Sequence, residues 1–352
     1  MTKFIESFST TQLLPPWQSR NFRMWSFLVD VDRARIQDQL NYNFNCRKVH
    51  NPAPYHYEAL NEGLGLLCVA RHPDFSSLEP TIQGWGPVSH EEVYWTFPAW
   101  RSRITPDNLL VEPTLVWIQS FVLDTNSFLM FSAREIWGTE MEMATIMLTE
   151  GDSPGTLVVD VAIEGLVEFK PTQASHLIGF MRARMDSDAK AAKLPDLLDK
   201  NPRLVDFVDL LIDAGLFTQD GTALVGGQAI GMELNTLKQF RDALNMDLAA
   251  YRALVTSRTI HDSNDDIQFF DGQDVKLEFL WSDSMREVLV RIFGCADSGA
   301  KSGLQDTPPG FGLDVGRETI DWSMPRLPIK VELAFSYTAN ATYDVLDILH
   351  TY

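Results

Sequence analysis

Hydrophobic and polar positions alternate along much of the chain, and the period of that alternation predicts its elements. "MWSFLVDV" reads as a strand that runs into "DRARIQDQL", where apolar spacing is helical and Asp32 stands as the N-cap. "GLGLLCVARH" and "TLVWIQSFVL" are apolar runs of strand length, and "EEVYWTFPAWRSR" has the aromatic content of a half-buried strand. "TNSFLMFSAREI" predicts a short helix. "MATIMLTE" and "TLVVDVAIEGLVEF" flank "GDSPG" and predict a hairpin. "QASHLIGFMRARM" predicts a helix. From Asp186 to Thr236 the pattern turns to helix and loop ("LPDLLDK", "LVDFVDLLIDAGLF", "GGQAIG"), which predicts a helical insertion or cap over 186–236 within one domain spanning 1–352. Strands resume with "AAYRALVTSRTI" and continue through "VKLEFLW" to "LPIKVELAFSYTA". The last two are separated by the Gly/Pro/Ser-rich loop "CADSGAKSGLQDTPPGFGLDVG". Many strands and few helices predict an α+β fold dominated by antiparallel sheet.

Composition narrows function by exclusion. The 352 residues carry 48 acidic and 29 basic side chains, a net charge of −19. A phosphate backbone needs clustered Lys and Arg, so nucleic acid is excluded as a partner, and an anionic membrane surface with it. The three cysteines, Cys46, Cys68 and Cys295, show no CxxC pairing and read as buried thiols in a reducing compartment. The start "MTKFIESFSTTQ" lacks a basic region followed by an apolar run, and no uncharged apolar run reaches the roughly 20 residues of a membrane helix. A cytoplasmic protein is expected.

Three motifs invite chemistry and lack its context. "GDSPG" fits GxSxG, but a nucleophile elbow needs a helix after the serine, and a strand-like run follows. "GFGLDVG" follows "DTPP" instead of a strand, and its third glycine comes one position late for a dinucleotide fingerprint. The seven histidines, His50, His56 and His72 among them, show neither i, i+4 helical spacing nor cysteine partners, so no metal site is expected. No cofactor is expected either.

The segment "LDTNSFLMFSAREIWGTEMEM" resembles the core of the acetoacetate decarboxylase family. Arg134-Glu135-Ile136-Trp137-Gly138 keep that family's Gly-Arg-Glu, two apolar residues, Gly pattern, with Ala133 in place of the first glycine. "FLVDVDRARIQDQL", "LKQFRDALNMDLAAYRALV" and "LPIKVELAFSYTANATYDVLDILHTY" are similar to its opening, middle and closing segments. The resemblance implies a cone-like β-barrel with peripheral helices, a small-molecule substrate and self-association into a homo-oligomer. It also implies chemistry through a lysine that forms a Schiff base with a keto acid. That lysine must lose its proton near neutral pH, which an apolar pocket and an adjacent cation promote. Aligned through Gly138, the family's lysine pair falls on Met141 and Glu142 and its proline on Glu140, and no lysine lies between Arg101 and Glu150. Methionine cannot form an imine, so the Schiff-base step is not carried over.

Other positions of the resemblance remain as expectations. The family's pocket glutamate corresponds to Glu91 or Glu92 in "SHEEVYW", and its substrate-facing arginine to Arg20 or Arg23. Arg134, Trp137 and Met141 are expected at the pocket wall. Glu142 is a second acid–base candidate, since a glutamate buried among Met and Trp would have a raised pKa. Strand alternation in "TEMEMAT" would instead turn Met141 and Met143 inward and Glu140 and Glu142 to water. Two functions follow. One is an enzyme that uses acid–base chemistry in place of an imine, for decarboxylation, lyase, dehydration or cyclisation steps on a keto acid or polyketide-like substrate. The other is an inactive binding protein with the same pocket. A carboxylate inside the pocket opposite an arginine favours the first; a wholly apolar pocket favours the second.

Overall fold

Alternation sets the layout from the first strand. In the computed structural model, which describes residues 12–45, 53–60, 63–151, 156–185, 189–222, 232–241, 249–294, 314–315 and 318–351, β1 covers Trp17–Asp30 and leads into helix α1 (Arg33–Asn43). The Asp32 side chain accepts from Ala34 N and caps that helix. Strands β2 (Tyr55–Ala59), β3 (Leu64–Ser77), β4 (Val88–Ile104) and β5 (Leu110–Asp124) follow, then helix α2 (Ser127–Ile136). Next come β6 (Met141–Glu150), β7 (Leu157–Gly165) and β8 (His176–Met185), and helices α3 (Leu194–Lys200) and α4 (Val205–Asp213). The chain closes with β9 (Met232–Arg241), β10 (Ala249–Asp271), β11 (Val275–Leu280), α5 (Arg286–Arg291), the two-residue strands β12 (Asp314–Val315) and β13 (Glu318–Thr319), β14 (Arg326–Ile329) and β15 (Val331–Thr351).

The ladders run β5–β9–β10–β15–β1–β3–β4, and β4 pairs again with β5, so these strands close into a barrel. Closure removes the open edge that a sheet of this size would otherwise present. The outer sheet β6–β7–β8–β11–β14 joins it through the parallel pair β5–β6. Only β5–β6 and β5–β9 are parallel among the named ladders; the fold is α+β and mostly antiparallel.

Four expectations change. "HLIGFMRARM" is strand β8, not helix. It pairs with β7 on one side and β11 on the other and buries Phe180, Met181 and Ala183, so ladder pairing overrides helix-favouring Leu, Met and Arg. The stretch 186–236 holds α3 and α4, but its last residues already belong to β9. "LPIKVELAFSYTA" divides at Lys330: β14 pairs with β11 in the outer sheet, and β15 enters the barrel. Met143 is exposed, because β6 leaves β5 at that point and changes its buried face from Met141 to Ala144. The hairpin at "GDSPG" is present, with β7 where a nucleophile elbow would need a helix; Asp152–Gly155 lie outside the described residues. So do Cys46, Cys295, His50, "GGQAIG" and most of the Gly/Pro-rich loop. Cys68 is a buried free thiol.

Candidate active site

The barrel encloses a cavity of about 100 Å³. Each of its strands contributes to the lining, and α2 and the Trp137–Met141 turn border it as well. The period of two sorts β4. His90, Glu92, Tyr94 and Thr96 line the cavity, while Val93, Trp95 and Phe97 pack on the opposite face, in the core shared with the outer sheet.

Register then assembles a polar cluster inside an otherwise apolar lining. His72 on β3 stands directly across from His90, and Asp124 at the end of β5 across from Glu92. The imidazoles stack with centroids 4.5 Å apart. His90 Nδ1 is 2.9 Å from Asp124 Oδ2, and His72 Nε2 is 3.3 Å from Glu92 Oε1. Ser19 Oγ lies 2.7 Å from His72 Nδ1. A neutral His72 satisfies both partners by accepting from Ser19 and donating to Glu92. Asp124 is fully buried and accepts a further bond from Asn126 N, 2.5 Å. Asn126 in turn caps α2 through Phe128 N and Leu129 N. The same turn therefore starts the helix and fixes the carboxylate.

Environment separates the charges. Burial, with repulsion from His90, lowers the pKa of His72. Burial also opposes a charge on His90, but the bond and charge of Asp124, with Glu92 and Glu91 beyond, outweigh it and raise that pKa. Glu92 resists desolvation through the His72 bond and the charges of both imidazoles, which hold its pKa below the ordinary carboxylate value. These directions favour an ionised Glu92 and a neutral His72 around neutral pH, and burial raises the pKa of Asp124 against the His90 bond. His90 Nε2 is buried and has no hydrogen-bond partner among the described residues. The same holds for Thr139 Oγ1 and Trp137 Nε1, on two other cavity-lining residues.

The residues anticipated from sequence divide. Glu92, Trp137 and Met141 line the cavity. Trp137 stacks on Trp17 at 4.6 Å. Glu91 points the other way and joins Arg71, itself paired with Glu150. Glu142 is exposed and pairs with Arg134 at 3.7 Å; Arg134 also donates to Met141 O, 3.2 Å, so it ties the end of α2 to β6. Arg20 is exposed beside Gln18. Arg23 donates to Thr338 and Ser336 and stands over the Trp25 ring. Among the described residues no lysine and no arginine lines the cavity.

His72, His90 and Asp124 escaped the sequence reading. His90 and Glu92 are spaced i, i+2, which puts both on one face of a strand, a spacing that the helical i, i+4 criterion for metal-binding histidines passes over. His72 and Asp124 carry no local signal; only strand register brings them in.

The Trp137–Gly138 pair has an architectural reason. Gly138 has φ +73°, and a Cβ there would lie 2.3 Å from Lys238 Cα. Thr236 Oγ1 donates to Trp137 O across the same contact. Lys238 itself places its ammonium 5.5 Å from the Phe240 ring, and burial lowers its pKa against the pull of Glu135.

No family model and no curated protein matches the chain. Solved structures are similar. An acetoacetate decarboxylase from Legionella pneumophila is 11% identical over 95% of this chain and 88% of that one, with TM-score 0.48. The enduracididine biosynthesis enzyme MppR, complexed with pyruvate, is 12% identical over 98% and 93%, TM-score 0.48. An acetoacetate decarboxylase-like enzyme from Sphingomonas wittichii is 12% identical over 95% and 94%, TM-score 0.46. The likeness is one of fold.

Proposed function

We propose that the chain is a small-molecule enzyme that performs acid–base chemistry on a keto acid or related carbonyl compound without an imine. One observation carries this reading: Glu92 stands in a mainly apolar cavity beside His90, whose Nε2 has no hydrogen-bond partner among the described residues. Glu92 is the base. His90 is the acid: Asp124 holds Nδ1 and leaves Nε2 to meet substrate, as a carboxylate orients the histidine of a catalytic triad. In a β-keto acid decarboxylation, the carbon–carbon bond to the carboxylate breaks and its electron pair forms the enol double bond. Carbon dioxide leaves as the keto oxygen takes the proton from His90; the enol then takes a proton at carbon from water and returns its hydroxyl proton to His90, giving the ketone. Removal of a proton beside a carbonyl uses Glu92 and the same donor. An arginine opposite the acid was expected with the enzyme reading; hydrogen-bond donors on Thr139 and Trp137 stand at the cavity in its place.

The binding-protein alternative draws on the mainly apolar lining. One experiment separates the two. Deuterium exchange at the carbon beside the carbonyl of pyruvate and acetoacetate, followed by NMR in D₂O, should be accelerated by the protein and lost in Glu92→Gln. Exchange that survives Glu92→Gln rejects the assignment, and no exchange or decarboxylation with any keto acid favours the binder. Borohydride with the same compounds should leave no lysine adduct; Lys238 and Lys170 are the positions to examine.

A further inference from the structure

We propose that the barrel cavity selects an uncharged dicarbonyl compound, a β-keto amide, ester or diketone, over the matching keto acid. Trp137 and Thr139 make the selection by donating hydrogen bonds to the second carbonyl oxygen.

Two polar groups without partners carry the inference. Trp137 Nε1 and Thr139 Oγ1 are buried, both residues line the cavity, and neither atom has a hydrogen-bond partner among the described residues. Trp137 is 7% exposed and Thr139 4%. An indole N–H can only donate, so what it lacks is an acceptor. A buried donor without a partner forfeits the hydrogen bond it had in water, which a ligand oxygen restores. The Trp137 side chain is held in place: its ring stacks on Trp17 at 4.6 Å, and its backbone carbonyl accepts from Thr236 Oγ1. His90 Nε2 is a third such group and serves the first carbonyl oxygen in the reading above.

Charge decides which kind of acceptor fits. The carboxyl groups of Glu92 and Asp124 already stand at the cavity, and no lysine or arginine lines it among the described residues. The imidazoles are engaged, His90 by Asp124 and His72 by Glu92. Tyr94, Tyr337 and Tyr343 line the cavity as well, and burial pushes their phenols well above the ordinary value, so they are neutral near pH 7. A substrate carboxylate would enter this mainly apolar space beside Glu92 without a counter-cation, and burial and like charge both oppose it. An uncharged carbonyl oxygen takes the same two donors without that penalty. Specificity of this kind comes as much from what disfavours the wrong ligand as from contacts to the right one.

The choice of ligand rests on the reaction proposed above; binding itself needs no turnover. Acetoacetamide and acetoacetate are the test pair, equal in heavy atoms and different in charge.

Titration calorimetry of the full-length protein with each compound near neutral pH reads the selection. The amide should bind about 10-fold or more tightly. Thr139→Val, which keeps the side-chain shape, and Trp137→Phe should each weaken the amide about 3- to 10-fold, and Thr139→Ser should bind it as the parent does. In Glu92→Gln the gap should narrow because acetoacetate gains affinity, a change that lost packing would not produce. Acetoacetate bound as tightly as the amide overturns the inference. So does amide affinity unmoved in both Thr139→Val and Trp137→Phe, or no binding of either compound. Selective binding of the amide without exchange of the protons beside its carbonyls leaves the selection standing and rejects the enzyme. Exchange of both compounds without selectivity does the opposite.

Discussion

The turn from Ser132 to Met141 and the facing strands β3, β4 and β5 border one cavity and contribute different things to it. The turn carries the motif by which the sequence resembles a known family, yet most of its residues build architecture. Arg134 ties α2 to β6, Gly138 lets the chain pass against Lys238, and Ser132 receives Leu13 N. From its second half, Trp137, Thr139 and Met141 reach the cavity. The strands show no motif, yet they carry the ionisable cluster. A recognisable segment therefore marks where a pocket is; what the pocket can do depends on side chains that only register brings together.

The sharpest way to break this contrast is Glu92→Gln. If the strands hold the chemistry, exchange beside the carbonyl should fall about 10²- to 10⁴-fold, the usual range for losing a general base, with the unfolding midpoint little changed. Equal loss from Glu142→Gln would return the chemistry to the turn.

Gly138→Ala tests the architectural half. A positive φ and a Cβ driven into Lys238 backbone should together cost about 4 kcal/mol, as strain plus overpacking, read by chemical denaturation. A mild effect would show that the turn can yield.

Histidines with and without a carboxylate partner should differ in what they do to stability. His72 and His90 have carboxylate partners; His261, on the cavity wall from β10, packs on Phe22 and Tyr337, and burial takes its pKa down to about 4. The unfolded chain then takes up a proton near pH 6.5 that the folded one refuses until about pH 4. Stability contributed by this group is thus unaffected above pH 6.5, falls as pH drops through that window, and levels off below it. The loss is about 3 kcal/mol by linkage. In His261→Gln the acid limb of a stability–pH curve should flatten over that window.

Tyr57→Phe removes a buried hydroxyl that donates to Asn235 at 2.8 Å, and should cost about 1–2 kcal/mol. Glu91→Gln should have the smallest effect, under about 1 kcal/mol, since its partner Arg71 is partly exposed. A large loss of activity there would invalidate the inside–outside assignment on β4.

Much of the layout was legible. Asp32 capping α1, the α2 helix, β1 and the strands from β3 to β7 follow from local pattern, because capping and alternation act over a few residues. β8 was misread, since its Leu, Met and Arg suit a helix and only ladders on both edges make it a strand. For the site, alternation already required that Glu91 and Glu92 face opposite ways, and the choice between them awaited the fold. His90 was within reach, two residues before Glu92 on the same strand. His72 and Asp124 were not, for nothing in their neighbourhoods distinguishes them from ordinary polar positions.

The sequence by itself determined the strand-rich α+β character, the acidic surplus, and a thioether at Met141 with no lysine between Arg101 and Glu150. Those follow from composition, period and residue identity, all properties of neighbours along the chain. Tertiary structure alone decided that His72 meets His90, that Glu92 meets Asp124, and that Glu142 stays in water. Each depends on which residue stands opposite which across a ladder. That register is set by the packing of the whole barrel, where a slip of one residue would turn every side chain to the other face.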